Sequence, residues 1–173
     1  MLALDGGGIR GLITLGILER IERLVKARTG QPLHEYFDYI AGTSTGGIIA
    51  AGLARGMTTA QLIQFYETNG RDMFDPAFLL NRIKYLYTAD PLRQKLKEAF
   101  GEDSTLDPEY LRCLLLVVTK NVTTDSAWPI SSNPDAKYND PARSNCNLRI
   151  PLWQLVRAST AAPVYFPPES DPT

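Results

Sequence analysis

The sequence predicts an α/β fold with a largely parallel sheet, because short apolar β-type segments alternate along the chain with segments of helical periodicity. Two of the β-type segments run directly into glycine-rich turns that open helices. A third, Cys113–Thr119, is a continuous apolar run typical of a strand buried on both faces. The 173 residues fit one domain, residues 1–173, and no linker, internal repeat or low-complexity tract divides them.

The first strand–helix unit occupies the N-terminus. Met1–Leu4 is predicted as a short strand, and the helix that follows runs from Leu12 to about Lys26 because its apolar residues recur at helical spacing. Gly30 and Pro32 end this helix. Between strand and helix lies the segment 5–11, Asp-Gly-Gly-Gly-Ile-Arg-Gly.

The second unit has the same order. A strand is predicted over Tyr36–Ala41, followed by the turn Gly42–Gly47 and a helix of small residues from Ile48 to Arg55. Later helices are predicted to begin at Thr58 or Thr59, at Pro91 after the cap Asp90, and at Pro151, and to run to about residues 68, 100 and 161.

Two segments fit neither pattern. Residues Met73–Tyr87 are apolar and aromatic without a clear period, and they are as consistent with core packing as with a lipid-facing surface. Residues Thr123–Asn147 are rich in Ser, Asn, Asp and Pro, which predicts a long surface excursion.

Composition excludes several classes of protein. Eighteen Lys and Arg against 19 Asp and Glu give a net charge of −1, which argues against nucleic acid as a partner. The sequence has no apolar run of 18 residues and no signal-peptide pattern, so we expect a cytoplasmic protein with no transmembrane segment. The two cysteines, Cys113 and Cys146, have neither the spacing of a metal site nor that of a disulfide framework.

The pattern Gly42-x-Ser44-x-Gly46 between a strand and a helix is that of a nucleophile elbow. Such a turn exposes the serine Oγ, and it needs glycine at both flanking positions because side chains there would collide with neighbouring elements. It also points the N-terminus of the next helix, including the Thr45 amide, at the serine, where a developing oxyanion is favoured. The alternative is a helix-capping serine in a glycine-rich packing turn.

The pattern Gly6-x-Gly8-x-x-Gly11 fits a dinucleotide or phosphate turn, but that use wants an acidic residue at the end of the second strand. Asp38 lies inside the predicted strand instead. The other use of three consecutive glycines is to bring backbone N–H groups close to a reacting carbonyl oxygen. The simplest alternative is that Gly6, Gly7 and Gly8 only permit a tight turn.

A nucleophilic serine needs a base, and the single histidine limits the choice. His34 precedes Ser44, so the order Ser, Asp, His of the usual α/β-hydrolase triad is impossible in these residues. We interpret His34 as a solvated loop residue. The base must therefore be a carboxylate or a lysine, or lie outside the 173 residues.

Three segments together resemble the patatin-like phospholipase family: residues 5–11, the turn Gly42–Gly47, and Ala158–Pro167, which reads Ala-Ser-Thr-Ala-Ala-Pro-Val-Tyr-Phe-Pro. The resemblance implies a three-layer α/β/α sandwich with a mostly parallel central sheet. It also implies lipid acyl hydrolysis, of phospholipase A or lysophospholipase type, by a Ser–Asp dyad without histidine. Carried over by position, Ser44 is the nucleophile.

The remaining roles follow from the same resemblance. Gly6, Gly7 and Gly8 would line the oxyanion hole together with Thr45, and the supporting positions would be Arg10, Gly11, Gly42 and Gly46. The family's catalytic aspartate lies in an Asp-Gly-Gly or Asp-Gly-Ala motif soon after the segment that ends here. Asp171 is followed by Pro172 and does not match. The domain is therefore expected to be C-terminally incomplete, with its aspartate beyond residue 173.

The resemblance implies a lipid or phospholipid substrate met at a membrane surface, with no metal and no cofactor. Two other functions stay open. A serine acyltransferase of related fold would pass the acyl group to an acceptor other than water, and a catalytically dead module would keep the fold for interaction or regulation. An Asp-Gly-Gly or Asp-Gly-Ala motif in the full-length gene would favour the hydrolase.

Overall fold

The computed structural model describes residues 1–74, 91–121 and 123–160. Its strands form one four-stranded sheet in the order β1-β2-β3-β4. The strands are β1 (Leu2–Leu4), β2 (Tyr39–Thr43), β3 (Leu114–Asn121) and β4 (Ser126–Ser131). The first three are parallel, and β4 runs antiparallel to β3.

The pairing brings the carboxyl ends of the parallel strands to one edge of the sheet. Leu4 at the end of β1 pairs with Gly42, and Thr43 at the end of β2 pairs with Val118. The turns that follow β1 and β2 therefore start side by side, at the edge where open α/β sheets bind their ligands.

Helices cover both faces of this sheet, as expected for an α/β/α sandwich with a mostly parallel sheet. Within the described residues they are α1 (Gly11–Thr29), α2 (Leu33–Tyr36), α3 (Thr45–Ala54), α4 (Thr59–Phe74), α5 (Pro91–Phe100) and α6 (Leu152–Thr160). Short 3-10 turns occupy Gly8–Arg10, Pro108–Tyr110 and Asn147–Arg149.

Helix α3 is the centre of the packing. All ten of its residues are buried, and it contacts β1, β2 and β3 as well as α1, α4 and α6. A helix that is apolar or small all round belongs in a core, since no face needs water. Its glycines and alanines let the neighbouring elements approach closely, which holds its first turn firmly against the sheet.

The helix ends follow local rules that the sequence carries. Thr58 and Gln61 form a reciprocal cap: the Gln61 amide donates to Thr58 Oγ1 at 3.2 Å and the Thr58 amide donates to Gln61 Oε1 at 2.8 Å. Gly30 and Gly101 follow α1 and α5 with φ of 76° and 88°, a left-handed conformation that favours glycine. The predicted starts of α4 and α5 are confirmed; the predicted cap Asp90 lies outside the described residues.

Two predictions about the chain are wrong. Residues 33–36 form the short helix α2, so the second strand begins at Tyr39 and not at Tyr36. The predicted surface excursion of residues 123–147 contains β4, which pairs with β3 through six residues on each strand. The sequence does not indicate this strand because it contains Pro129, and proline has no N–H to donate to a neighbouring strand. Proline is tolerated there because β4 is the outermost strand of the described sheet.

Parts of two other segments lie outside the described residues. Met73 and Phe74 are the end of α4, and the rest of the aromatic stretch to Tyr87 is not among the described residues. Of the segment Ala158–Pro167, the structure describes residues 158–160 at the end of α6.

Candidate active site

Ser44 is the single residue between β2 and α3, as predicted. Its backbone has φ 52° and ψ −124°, a conformation that residues with a side chain rarely adopt. A strained backbone of this kind persists only when the surroundings hold it, and such strain is concentrated at functional sites. Ser44 is half-buried, so its hydroxyl lies at the boundary between the core and solvent.

The surroundings of the turn explain both flanking glycines. A β-carbon on Gly42 would lie 2.2 Å from the carbonyl oxygen of Gly46. A β-carbon on Gly46 would lie 2.1 Å from the Leu4 carbonyl oxygen and 2.7 Å from that of Asp5. Both obstacles are backbone atoms, which no side-chain rotation can move. The elbow can close only with glycine at these two positions.

The glycine loop after β1 lies against the elbow. A β-carbon on Gly6 would be 2.8 Å from Ser44 Cβ and 3.5 Å from Ser44 Oγ. Gly8 has φ 59°, and among the described residues nothing lies within 4 Å of the point where its β-carbon would stand. A β-carbon on Gly7 would lie 3.9 Å from Arg10 Nε. The predicted proximity of Ser44 and this loop is therefore confirmed, while the chemical roles of these residues stay predictions.

The first turn of α3 completes the arrangement. The amides of Gly47 and Ile48 donate to the Ser44 carbonyl oxygen at 2.8 and 3.2 Å. Thr45 is fully buried, and its methyl group would collide with a β-carbon on Gly11, at 2.3 Å. Tyr66 OH donates to the Thr45 carbonyl oxygen at 3.1 Å, and burial raises the pKa of Tyr66 well above its usual range. The start of α1 and the side chain of Tyr66 thus hold the helix end next to the serine.

Sequence reasoning missed one residue of this site. The Ser44 amide donates to Ser159 Oγ at 2.8 Å, and Ser159 Oγ in turn donates to the Val118 carbonyl oxygen at 2.6 Å. Ser159 lies on α6, 115 positions from Ser44 in the chain. The one signal in the sequence was that Ser159 lies in segment 158–167, which resembles the family. That resemblance does not indicate that Ser159 bonds to Ser44.

The structure does not bring His34 to the serine. His34 belongs to α2, ahead of the first residue of β2, at the edge opposite the one where β2 ends at Thr43 and Ser44 follows. The prediction that His34 lies in a loop is wrong, because it belongs to this short helix; its side chain is half-buried. It lines an open cavity of about 560 Å³ together with Asp38 and Cys113. Burial, with a smaller contribution from Asp38, raises the pKa of Cys113 to about 11, which makes its thiol unreactive at neutral pH.

The described residues also bear on metal sites and membrane-spanning helices. Within residues 1–74, 91–121 and 123–160, no three His, Cys, Asp or Glu side chains are grouped so that they could hold a metal ion. In that same part of the chain, no helix combines the length and apolar character needed to cross a membrane.

The fold and the elbow together define a class of α/β protein with a serine at the strand-to-helix turn. The family model for the patatin-like phospholipases matches residues 2–171, and the chain belongs to that family.

Two phospholipases are about one third identical to the chain over the aligned residues. A cGAMP-activated phospholipase of Vibrio cholerae is 32% identical over 182 residues, covering 97% of this chain and 49% of the relative. An intracellular phospholipase A2 of Caenorhabditis elegans is 33% identical over 174 residues, covering 99% of the chain and 15% of the relative. The chain thus spans half or less of the length of these relatives.

Solved structures support the fold. The chain is similar to VipD from Legionella pneumophila with a TM-score of 0.54 and 16% identity, over 95% of this chain and 43% of VipD. It is equally similar, at 0.54 and 17% identity, to the Pseudomonas aeruginosa ExoU–SpcU complex structure, over 92% of this chain and 35% of the matched one. At this identity the likeness concerns the fold alone.

Proposed function

We propose that the protein is a lipid acyl hydrolase of phospholipase A or lysophospholipase type, with Ser44 as its nucleophile. One observation carries the proposal: in a chain of the patatin-like phospholipase family, Ser44 stands in a strained elbow with Gly6 directly against it. A helix-capping serine would need neither the positive φ nor a glycine loop from another strand beside its side chain.

In the proposed reaction Ser44 Oγ attacks the carbonyl carbon of a fatty acyl ester while its proton passes to a carboxylate. The negative charge that develops on the carbonyl oxygen is stabilised by backbone amides, which act as preorganised donors. We assign these donors to the loop of Gly6, Gly7 and Gly8 and to the Thr45 amide, in the first turn of α3, where N–H groups have no partner within the helix.

When the tetrahedral intermediate collapses, the ester C–O bond breaks and the protonated carboxyl gives its proton to the leaving alcohol, which leaves the acyl-enzyme. The same carboxylate then takes a proton from a water that attacks the acyl-enzyme and passes this proton to Ser44 Oγ as the fatty acid is released. Gly42 and Gly46 support the chemistry by letting the elbow close, and Gly11 by letting α1 approach Thr45. The Arg10 side chain lies close to Gly7; we assign it a supporting position and no proton-transfer step.

The carboxylate is proposed to be an aspartate beyond Thr173, which completes a Ser–Asp dyad. His34 at the opposite edge supports a dyad without histidine. On this proposal residues 1–173 alone are close to inactive, because a positioned base is worth about 10²–10⁴-fold in rate. Ester hydrolysis by residues 1–173 should be compared with that of a chain extended through the next Asp-Gly motif. Equal specific activity would place the base within the 173 residues.

The substrate is proposed to be a phospholipid or related lipid, reached by peripheral association of a cytoplasmic protein with a membrane surface. The relatives that are phospholipases support this assignment. The proposed nucleophile and glycine loop belong to the same chain, so the proposed reaction is independent of the oligomeric state.

The function is tested with the full-length protein and phosphatidylcholine vesicles, by measuring released fatty acid. The wild type is expected to release fatty acid and Ser44→Ala to release none above background. Ser126→Ala is the matched control, because Ser126 is an exposed serine at the start of β4 and outside the proposed site. Activity of Ser44→Ala equal to wild type would show another nucleophile. An inactive wild type, extended to include the aspartate, would favour the non-catalytic module.

A further inference from the structure

The hydroxyl of Ser159 lies between the ends of two strands. Strands β2 and β3 pair in register up to Thr43 and Val118. One residue later β2 turns into the elbow, and the Ser159 hydroxyl takes the place of the next bond between the strands. It accepts from the Ser44 amide at 2.8 Å and donates to the Val118 carbonyl oxygen at 2.6 Å.

This bridge uses the hydrogen-bonding capacity of a hydroxyl in both directions, since a serine can donate once and accept at the same time. Alanine in its place would leave an amide and a carbonyl group without their partner in a part-buried setting. Leaving such groups unsatisfied costs more than the net gain of an ordinary hydrogen bond.

The bridge acts on a residue whose backbone is strained. Ser44 holds a positive φ without being glycine, so neighbouring groups must fix it in that conformation. Its carbonyl oxygen is held by the amides of Gly47 and Ile48, and its amide is held by Ser159. The two peptide groups that flank the Ser44 Cα are thereby fixed by different elements, α6 on the amide side and α3 on the carbonyl side.

Ser159 also keeps its hydroxyl close to the first turn of α3. A β-carbon on Gly47 would lie 3.5 Å from Ser159 Oγ and 3.4 Å from Val117 Cγ1. These are ordinary van der Waals distances, so the Ser159 hydroxyl lies directly beside the first turn of α3. An amide committed to Ser159 is also no donor to an oxyanion, which leaves that task to the glycine loop and Thr45.

From this geometry we propose that Ser159 is a positioning residue for the nucleophile: it fixes the Ser44 backbone so that Oγ is held in the attacking position. The expected effect on catalysis rests on the proposed function. The expected effect on the Ser44 backbone rests on the two hydrogen bonds of Ser159 alone. The Ser159 hydroxyl bonds to the backbone amide of Ser44 and takes no proton from the Ser44 hydroxyl.

The matched control is Thr160, the next residue on α6. Its hydroxyl is buried and donates to the Arg157 carbonyl oxygen at 2.8 Å, within the helix, so its loss tests the effect of removing a buried hydroxyl from α6 without touching the elbow. Ser159→Thr keeps the hydroxyl and is the conservative variant.

Activity is measured in the full-length protein as kcat and KM on a p-nitrophenyl ester, with Tm measured beside them. Ser159→Ala is expected to lower kcat by about 10- to 100-fold with KM changed less than about 3-fold, because a small displacement of a reacting group costs rates of this order. Ser159→Thr should recover most of kcat, and Thr160→Ala should keep it. A loss of kcat no larger than in Thr160→Ala would overturn the proposal, as would failure of Ser159→Thr to recover kcat at wild-type Tm.

Amide hydrogen exchange at Ser44 separates this inference from the proposed function. In Ser159→Ala the protection of the Ser44 amide should fall about tenfold or more, with Thr160→Ala unchanged. If wild type and Ser44→Ala show equal hydrolysis, the proposed function fails while a loss of protection still supports the positioning role. Unchanged protection in Ser159→Ala would overturn the positioning role whatever the activity.

Discussion

Gly6 and Ser44 are in such close contact that a single methyl group cannot be placed between them. A β-carbon on Gly6 would lie 2.8 Å from Ser44 Cβ and 3.0 Å from the Thr43 carbonyl oxygen. The loop after β1 and the turn after β2 are therefore one packed unit, and the position of the serine depends on a residue 38 positions earlier in the chain.

Gly6→Ala is expected to displace Ser44 and to lower kcat of the full-length protein by about 100-fold, the cost of a misplacement of about 1 Å. The measurement is ester hydrolysis at saturating substrate. Gly16→Ala is the control, because Gly16 is exposed on α1 and no heavy atom among the described residues lies within 4 Å of its would-be β-carbon. Wild-type kcat in Gly6→Ala would contradict the tight contact.

Gly46 and Gly16 should respond in opposite directions to the same substitution. Gly46→Ala places a methyl group 2.1 Å from the Leu4 carbonyl oxygen, so the free energy of unfolding should fall by about 2 kcal/mol or more. Gly16→Ala, inside an exposed turn of α1, should raise it by about 0.5–1 kcal/mol. Urea denaturation of both variants checks the pair. A Gly46→Ala protein as stable as wild type would show that the elbow is looser than described.

The thiol of Cys113 should be slow to react. Its pKa is raised to about 11, chiefly by burial and further by Asp38. The thiolate is the reactive form, so a pKa about two units above that of an ordinary thiol leaves about 100-fold less of it at pH 8. In Cys146→Ala, where Cys113 is the single cysteine of residues 1–173, iodoacetamide should modify Cys113 at least that much more slowly in the folded protein than in the urea-unfolded one.

Two controls sharpen this measurement. Asp38→Asn should speed the modification of the folded protein, because the Asp38 charge is one of the causes of the raised pKa. Since the folded pKa exceeds the unfolded one, the contribution of this thiol to stability is complete below about pH 8.5 and is lost as the pH rises toward 11. Equal rates in the folded and unfolded states at pH 8 would contradict the burial of the thiol.

The elbow and the glycine loop could be predicted from the sequence because their requirements are local. Gly42, Ser44 and Gly46 lie within five residues. Gly42 is required by backbone atoms of Gly46 in the same turn, and Gly46 by the backbone of Leu4 and Asp5 at the end of the neighbouring strand. The loop of Gly6 was predictable once β1 and β2 were taken as parallel neighbours, since their ends then share one edge.

Three features could not be predicted from the sequence: the contact of Ser159 with Ser44, strand β4, and the start of β2. Ser159 contacts Ser44 although the two are 115 positions apart in the chain, and no sequence pattern predicts a contact at that separation. Strand β4 contains Pro129, and proline is disfavoured in strands because it has no N–H to donate. The segment is a strand because it pairs with β3, where Pro129 lies opposite Val118. The start of β2 was misplaced because Leu33–Tyr36, after Pro32, closes into a helical turn.

The central claim is that Ser44 is the nucleophile, and the most direct measurement is covalent labelling of the full-length protein with a fluorophosphonate, read by peptide mass spectrometry. The account predicts one adduct on the peptide that carries Ser44, no adduct in Ser44→Ala, and wild-type labelling in Ser126→Ala. An adduct on another residue, or a Ser44→Ala protein labelled as fast as wild type, would contradict it.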